Sequence, residues 1–286
     1  RAVQSVVDEE LARPILMGKP DRIEKSIREL GLRIRIGNDV DLVEFADDHP
    51  EAHTCEACQL VNQGAADSVI CGSSGEYRTH LKILVDEIGL RPGLTQPASM
   101  SLLLLKKGMI FISDSAVKIE PDVNDIVETT FLAAEGVSQF GIEPRVALVA
   151  HDRYGEVNSA STRKMYEALE IIRERKPEFE VYGDMRADEA LHEAIRESRS
   201  PKSPMKGSAN LLIMPDLDSA SIAYDMIKVL EEAVSISPIL LGFNHPVHIL
   251  TPSSTVRRIV NICALMAVKA QMVGDQMGFS FREMNN

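Results

Sequence analysis

The feature that most constrains this chain is an alternation of short apolar runs with longer amphipathic segments from one end to the other. Runs of strand length occur at Ile15–Met17, Ser68–Cys71, Ser101–Leu105, Met109–Ser113, Val146–Ala150, Leu211–Pro215, Ile239–Gly242 and Val247–Leu250. Helical periodicity fills Arg78–Ile88, Val123–Gly136, Thr162–Lys176, Asp188–Glu197, Ala220–Glu232 and Val256–Met277, with further helical stretches at Ala2–Leu11 and Cys55–Gln63. A short apolar run bounded by turns suits a strand covered on its two faces, and intervening helices are the crossovers that parallel strands require. The order therefore predicts an α/β fold with a largely parallel sheet. Gly108, between two apolar runs, predicts a hairpin.

At 286 residues the chain is long for one core and comfortable for two domains. Its net charge of −12 and lack of Trp argue against non-specific nucleic-acid or membrane binding and against base-stacking platforms. No apolar stretch reaches 18 residues and the start lacks a signal-peptide pattern, so the expectation is a cytoplasmic protein. The opening residues read as the interior of a helix, which suggests a piece of a longer polypeptide. Cys55 and Cys58 form a C-x-x-C beside His53. No second ligand pair at zinc spacing accompanies it, so Cys55, Cys58, Cys71 and Cys263 are expected to be reduced structural thiols, with no metal site.

Pro246–Val268 carries the densest chemical signal. Val247–Leu250 is a strand-like run, residues 251–255 (TPSST) form a hydroxyl-rich turn, and helical spacing begins at Val256 with Thr255 as N-cap. A strand feeding such a turn and a helix N-terminus can hold an anion such as phosphate, through free backbone N–H groups and the dipole. An ordinary capped helix explains the same spacing. Arg257 and Arg258 in the first turn oppose the dipole, which a bound anion would relieve; side chains reaching solvent or a second subunit remain the alternative.

This segment resembles the C-terminal signature of the phosphotransacetylases (phosphate acetyl/butyryltransferases), and more closely the phosphotransacetylase-like domain at the C-terminus of bacterial NADP-dependent malic enzymes. Further matches follow in the same order: Val7–Glu9 with Ala12–Leu16, Ala66–Gly72 (ADSVICG), Gly207–Asp218 (GSANLLIMPDLD) running on to Tyr224, and Pro238–Gly242. The resemblance implies two three-layer α/β/α domains of the isocitrate/isopropylmalate dehydrogenase-like type, with a ligand site in the cleft between them. It places the first, discontinuous domain at 1–118 plus 249–286 and the second at 119–248. It also implies several helical turns between Asp48 and the ADSVICG turn. Only a short run stands there, around Asp47–His53, so either a helix is lost or residues are missing from the chain.

The departures from the family bear on chemistry. Active members carry Ser-Arg where this chain has Thr251 and Pro252, and an Asp where it has Arg258. Proline neither clamps a phosphate nor donates, and a guanidinium cannot act as a base. Near Lys82 the family has a phosphate-holding Arg; Lys keeps the charge without the bidentate fork. The acyl-transfer reaction is thus expected to be lost, while Lys82, Thr251, Ser253, Ser254, Thr255, Arg257 and Arg258 remain suited to binding a CoA-type ligand. Arg153, in a strand-to-helix turn, stands near a family lysine. Asp216, Asp218, Ser219 and Tyr224 follow a strand at a ligand-facing position, although Asp218 or Ser219 could equally cap the next helix.

What the resemblance implies is a catalytically silent regulatory domain that binds acetyl-CoA and inhibits a malate-decarboxylating domain in the same polypeptide. NADP and a divalent metal would belong to that other domain. Two readings stand beside it: a working phosphate acetyl/butyryltransferase using Thr251, and an oligomerisation module in which Val256–Met277 and Met266, Met272, Met277 and Met284 pack on another subunit. A homo-oligomer is compatible with all three.

Overall fold

The computed structural model describes residues 1–283 except 48, 154, 157, 202, 252 and 253, with side chains through residue 273. The chain forms two compact units: residues 1–93 with 243–286, and residues 94–242.

The first unit opens with α1 (Ala2–Asp8) and β1 (Ile15–Gly18), then α2 (Pro20–Glu29) and β2 (Asp41–Glu44), which pairs in parallel with β1. Pro20 at the first helical position and Gly31 at φ +63 bound α2, each in the conformation its end requires. Next come α3 (Pro50–Asn62), β3 (Val69–Cys71) and α4 (Tyr77–Glu87), α3 packing on α4. The short run preceding the ADSVICG turn thus forms α3, a helix of 13 residues.

The second unit is built on β4 (Ala98–Leu105), β5 (Gly108–Ser113), α5 (Val123–Ser138), β6 (Arg145–Val149), α6 (Ala160–Glu174), β7 (Glu180–Met185), α7 (Ala187–Leu191), α8 (Glu193–Arg199), β8 (Leu211–Ile213), α9 (Leu217–Leu230) and β9 (Val234–Leu241). Its strands form one six-stranded sheet in the order β7-β6-β8-β5-β4-β9. The run from β7 to β5 is parallel, and β4 is antiparallel to its two neighbours, β5 and β9. Successive side chains on a strand face opposite ways, and helices cover the two faces. Leu103, Ile110, Ile112 and Leu212 cluster with Ala220 and Tyr224 of α9. On the other face Met100 and Leu241 crowd Gly136 of α5, and Phe111 meets Phe140 at a ring separation of 5.5 Å. A capping box between Asp122 and Asp125 starts α5, and one between Ser159 and Thr162 starts α6.

The chain then returns to the first unit as β10 (Val247–Ile249), parallel to β3, and α10 (Val256–Glu283), which packs on α1. The outgoing and returning connections leave side by side, through an isolated bridge between Leu90 and Phe243 and a hydrogen bond from Asn244 N–H to the Gly89 carbonyl (3.2 Å).

The division between units therefore falls at Gly93/Leu94 and Gly242/Phe243, not at 118/119 and 248/249. The cause is the β4–β5 hairpin, which a boundary at 118/119 assigns to the first unit: β5 pairs with β8 and β4 with β9, fixing residues 98–113 in the second sheet. The single helix expected over Asp188–Glu197 is two, broken at His192, whose backbone is extended (φ −134, ψ 110).

Gly72 marks the tightest joint of the first unit. It sits at φ +78, and a Cβ there would lie 2.5 Å from Ile249 Cγ2 and 2.9 Å from the Leu250 carbonyl. Gly31 shares the positive φ, but a Cβ there would meet nothing within 4 Å. Gly31→Ala should cost about 1 kcal/mol from the left-handed backbone alone. Gly72→Ala adds a backbone clash and should cost about 3 kcal/mol, a difference that denaturant midpoints at unchanged m-value will read.

Candidate functional site

Three in-register pairs, Val247 with Val69, His248 with Ile70 and Ile249 with Cys71, bring the carboxyl ends of β3 and β10 together. Leu250 N–H closes the ladder on the Cys71 carbonyl at 2.7 Å. Beyond that point each strand enters a hydroxyl-rich turn and then a helix: residues 72–76 (GSSGE) lead into α4, and residues 251–255 lead into α10. Glu76, the N-cap residue of α4, makes no side-chain cap hydrogen bond. In the second turn, Thr251 N–H donates to Ser254 Oγ (3.1 Å), Ser254 N–H to the Thr251 carbonyl (2.9 Å), and Arg258 N–H to Thr255 Oγ1 (3.2 Å). Thr255 is the N-cap that the spacing predicts. Two helix N-termini thus begin at one strand edge, a favourable arrangement for an anion.

A cavity of about 720 Å³ lies against these turns, entirely within the first unit. Gly72, Ser73, Ser74 and Ser254 line it, with β1 and β3 contributing Met17 and Cys71 and α3 contributing Thr54 and Ala57. His80 shapes the first turn. It is 1% exposed, its Nε2 lies 2.7 Å from the Ser74 carbonyl and its Nδ1 lies 2.9 Å from Thr54 Oγ1. A carbonyl only accepts, so the proton is assigned to Nε2 and, in the neutral ring, Nδ1 accepts from the Thr54 hydroxyl. The ring ties α3, α4 and the turn together, and Gly75 leaves room for it: a Cβ there would stand 2.6 Å from Nε2.

Sequence reasoning passed over His80, Ser73 and Ser74. Their signal was present, since the turn after β3 repeats the strand–hydroxyl turn–helix pattern of residues 247–256, but only the strand pairing makes the two turns neighbours.

The predicted residues fall in two groups. Thr251, Ser254, Thr255, Arg257 and Arg258 surround the second turn and the start of α10, and Lys82 is exposed on α4. Pro252 and Ser253 lie outside the described residues. In the second unit Asp216, neither Asp218 nor Ser219, caps α9 by accepting from Ser219 N–H at 2.8 Å. Tyr224 is 8% exposed and packs in the sheet core with its hydroxyl buried. Arg153 is held by buried Glu189 at 2.7 Å and by the Ser200 hydroxyl, so its charge is already compensated.

Cys55, Cys58, Cys71 and Cys263 are free thiols, and among the described residues no group of three or more His, Cys, Asp or Glu could hold a metal ion. No helix among those residues is long and apolar enough to cross a membrane.

A parallel strand pair feeding two helix N-termini in one unit, and in the other a mixed sheet covered on its two faces, define an α/β protein. Residues 35–267 match the family described as phosphate acetyl/butaryl transferase, and the chain belongs to that family. It is 41% identical to the NADP-dependent malic enzyme of Escherichia coli over 94% of this chain and 39% of the relative. It is 26% identical to the phosphate acetyltransferase of Corynebacterium glutamicum over 94% of this chain and 89% of the relative. A phosphotransacetylase from Streptococcus pyogenes superposes with a TM-score of 0.83 at 23% identity, covering 95% of this chain and 90% of the other, a likeness of fold. The chain spans about two-fifths of the length of the malic enzymes it matches.

Burial pushes the Cys58 and Cys71 thiols from their ordinary 9.0 up to about 12, with nearby Cys71, Cys55 and Glu87 adding to the effect at Cys58. A thiol whose folded pKa is raised favours folding below its unfolded pKa and loses that contribution as pH climbs to the folded value. Stability should therefore fall between pH 9 and about 12. At about pH 8 the folded protein should label at these two cysteines with iodoacetamide far more slowly than after unfolding in guanidinium, as peptide mass mapping will report.

Proposed function

We propose that this chain is the phosphotransacetylase-like part of a malic enzyme, binding acetyl-CoA without transferring its acyl group and inhibiting malate decarboxylation elsewhere in the polypeptide. The observation that carries the reading is the in-register pairing of β3 with β10, which sets two hydroxyl-rich turns and two helix N-termini side by side. The phosphates of a CoA ligand suit those N-termini together with Arg257, Arg258 and Lys82. Silence is supported by residue identity: Pro252 and Arg258 supply neither the clamp nor the base that an active member uses. The 41% identity to a malic enzyme, confined to 39% of its length, supports a catalytic partner on the same polypeptide. NADP and a divalent metal would be held there. Inhibition requires that acetyl-CoA bind two states of the protein with different affinity.

Calorimetric titration of acetyl-CoA with phosphate present should give a saturable isotherm without sustained heat. Arg258→Glu should weaken it at least about tenfold by reversing a charge at the phosphate end. Continuous heat proportional to protein would instead identify a transferase, and an unchanged isotherm for Arg258→Glu would remove that contact.

A separate observation favours self-association. On α9, Ile222, Met226, Val229 and Leu230 are 60%, 57%, 69% and 76% exposed. Their spacing forms one apolar stripe. A two-fold contact between copies would cover that stripe with its own equivalent. On α10, Met266 is 2% exposed within the first unit, Met272 is half-buried, and Met277 and Met284 lie outside the described side chains. Ile222→Asp with Met226→Glu should convert the sedimenting species to monomer without loss of helical circular dichroism; an unchanged sedimentation coefficient would place the interface elsewhere.

A further inference from the structure

The second unit carries a pocket of its own, of about 390 Å³, a size that suits a small ligand. Tyr182, Gly183, Asp184 and Met185 line it in succession. Alternate residues of a strand face opposite ways, so four in a row belong to a space that runs along the strand's edge. β7 is an edge strand, paired through β6 alone among the described residues. The segment after α8 contributes Pro201 and Pro204 to the same lining. Arg196 braces that segment from within. It is 1% exposed and donates to the carbonyls of Glu189 (2.8 Å), Met205 (3.2 Å) and Gly207 (2.6 Å).

Among the described lining residues, Arg153, Arg173 and Arg199 stand against one acid, Asp184. Element order places the cations at opposite ends. Arg153 and Arg199 both reach Glu189, at 2.7 and 3.9 Å, just past the carboxyl end of β7. Arg173 lies in the last turn of α6, which hands the chain to the amino end of β7. Glu189 is buried and answers Arg153, so one carboxylate serves two guanidiniums. Arg173 meets only the exposed Glu170 at 3.1 Å, an i,i+3 surface pair of little strength. Positive charge is thus in excess at each end, while Asp184 disfavours an anion between them. Residues 182 to 185 span three strand rises, about 10 Å. A compact anion such as inorganic phosphate cannot touch both ends at once. A short aliphatic chain with a carboxylate at each end can, and each carboxylate matches a guanidinium fork. We propose that this edge pocket binds a small aliphatic dicarboxylate of roughly four to six carbons, its length set by the strand run between the arginines. The site goes beyond the CoA-thioester reading, since the two hydroxyl-rich turns of the first unit contribute no residue to it.

Calorimetric titration of the full chain with the linear diacids from malonate to suberate, with butyrate and with inorganic phosphate tests the site. Affinity should peak between succinate and adipate. The best diacid should exceed butyrate at least about tenfold, because its second end adds a charge-assisted pair. Arg173→Gln and Arg199→Gln should each reduce diacid affinity to that of butyrate with helical circular dichroism unchanged. Arg28→Gln, on α2 of the first unit, removes a charge elsewhere and should leave the diacid advantage intact. Should a Gln variant not fold, the chain-length optimum of the native protein decides alone. Absent diacid binding, equal binding of succinate and butyrate, or tightest binding of phosphate would overturn the proposal. An equal loss in Arg28→Gln would overturn it too, by reducing the effect to net charge.

Discussion

The ligand site proposed for this protein depends on three residue pairs of parallel ladder between β3 and β10. Parallel strands cannot be joined by a tight turn, and these two are joined by the entire second unit. Because the strands run the same way in register, their carboxyl ends coincide and each releases its chain into a turn at the same edge. Strands of three residues are short, and the ladder is reinforced by the Leu250–Cys71 hydrogen bond and by the close approach of Gly72 to Ile249. A one-residue slip would exchange the faces of Ile249, 0% exposed, and His248, whose imidazole is itself buried, and would move the turns out of alignment.

The second turn gains its shape from its own hydroxyls, through the Thr251–Ser254 hydrogen bonds and the Thr255 cap. The first depends on an outside group, His80, anchored through Thr54 to another helix. The two turns are alike in sequence pattern and different in mechanical support. That difference matters to binding, since a turn held from α3 communicates with whatever lies against α3, and Ala57 and Thr54 of that helix face the same cavity.

Sequence periodicity placed most of the strands and helices because apolar runs of β-branched and leucine residues leave little choice of state. It passed over β2, where only Leu42 and Val43 are apolar between Asp41 and Glu44. It also passed over β7, an edge strand carrying Glu180, Gly183 and Asp184. Edge and terminal strands need not be apolar on two faces, so the signal is weak where the sheet ends. The unit boundary was misplaced for a related reason: the β4–β5 hairpin is legible locally, but which sheet receives it depends on pairing with β8 and β9, far along the chain. At the site, the turn chemistry of residues 251–255 was legible from caps alone. The role of His80 was not, since an imidazole on a helix carries no mark of the two partners that the fold brings to it.

The nested connectivity also sets an order on synthesis. Cys71 and His248 are separated by 177 positions. At about 5–20 residues per second, roughly 10–35 s pass between the emergence of β3 and that of its partner. The second unit is complete at Gly242, before β10 exists, and can fold while the first waits. Through that interval β3 presents an unpaired edge and an unsealed apolar lining, the exposures that holdase chaperones recognise. The same short ladder that assembles the ligand site is therefore the last piece of the sheet to close on the ribosome.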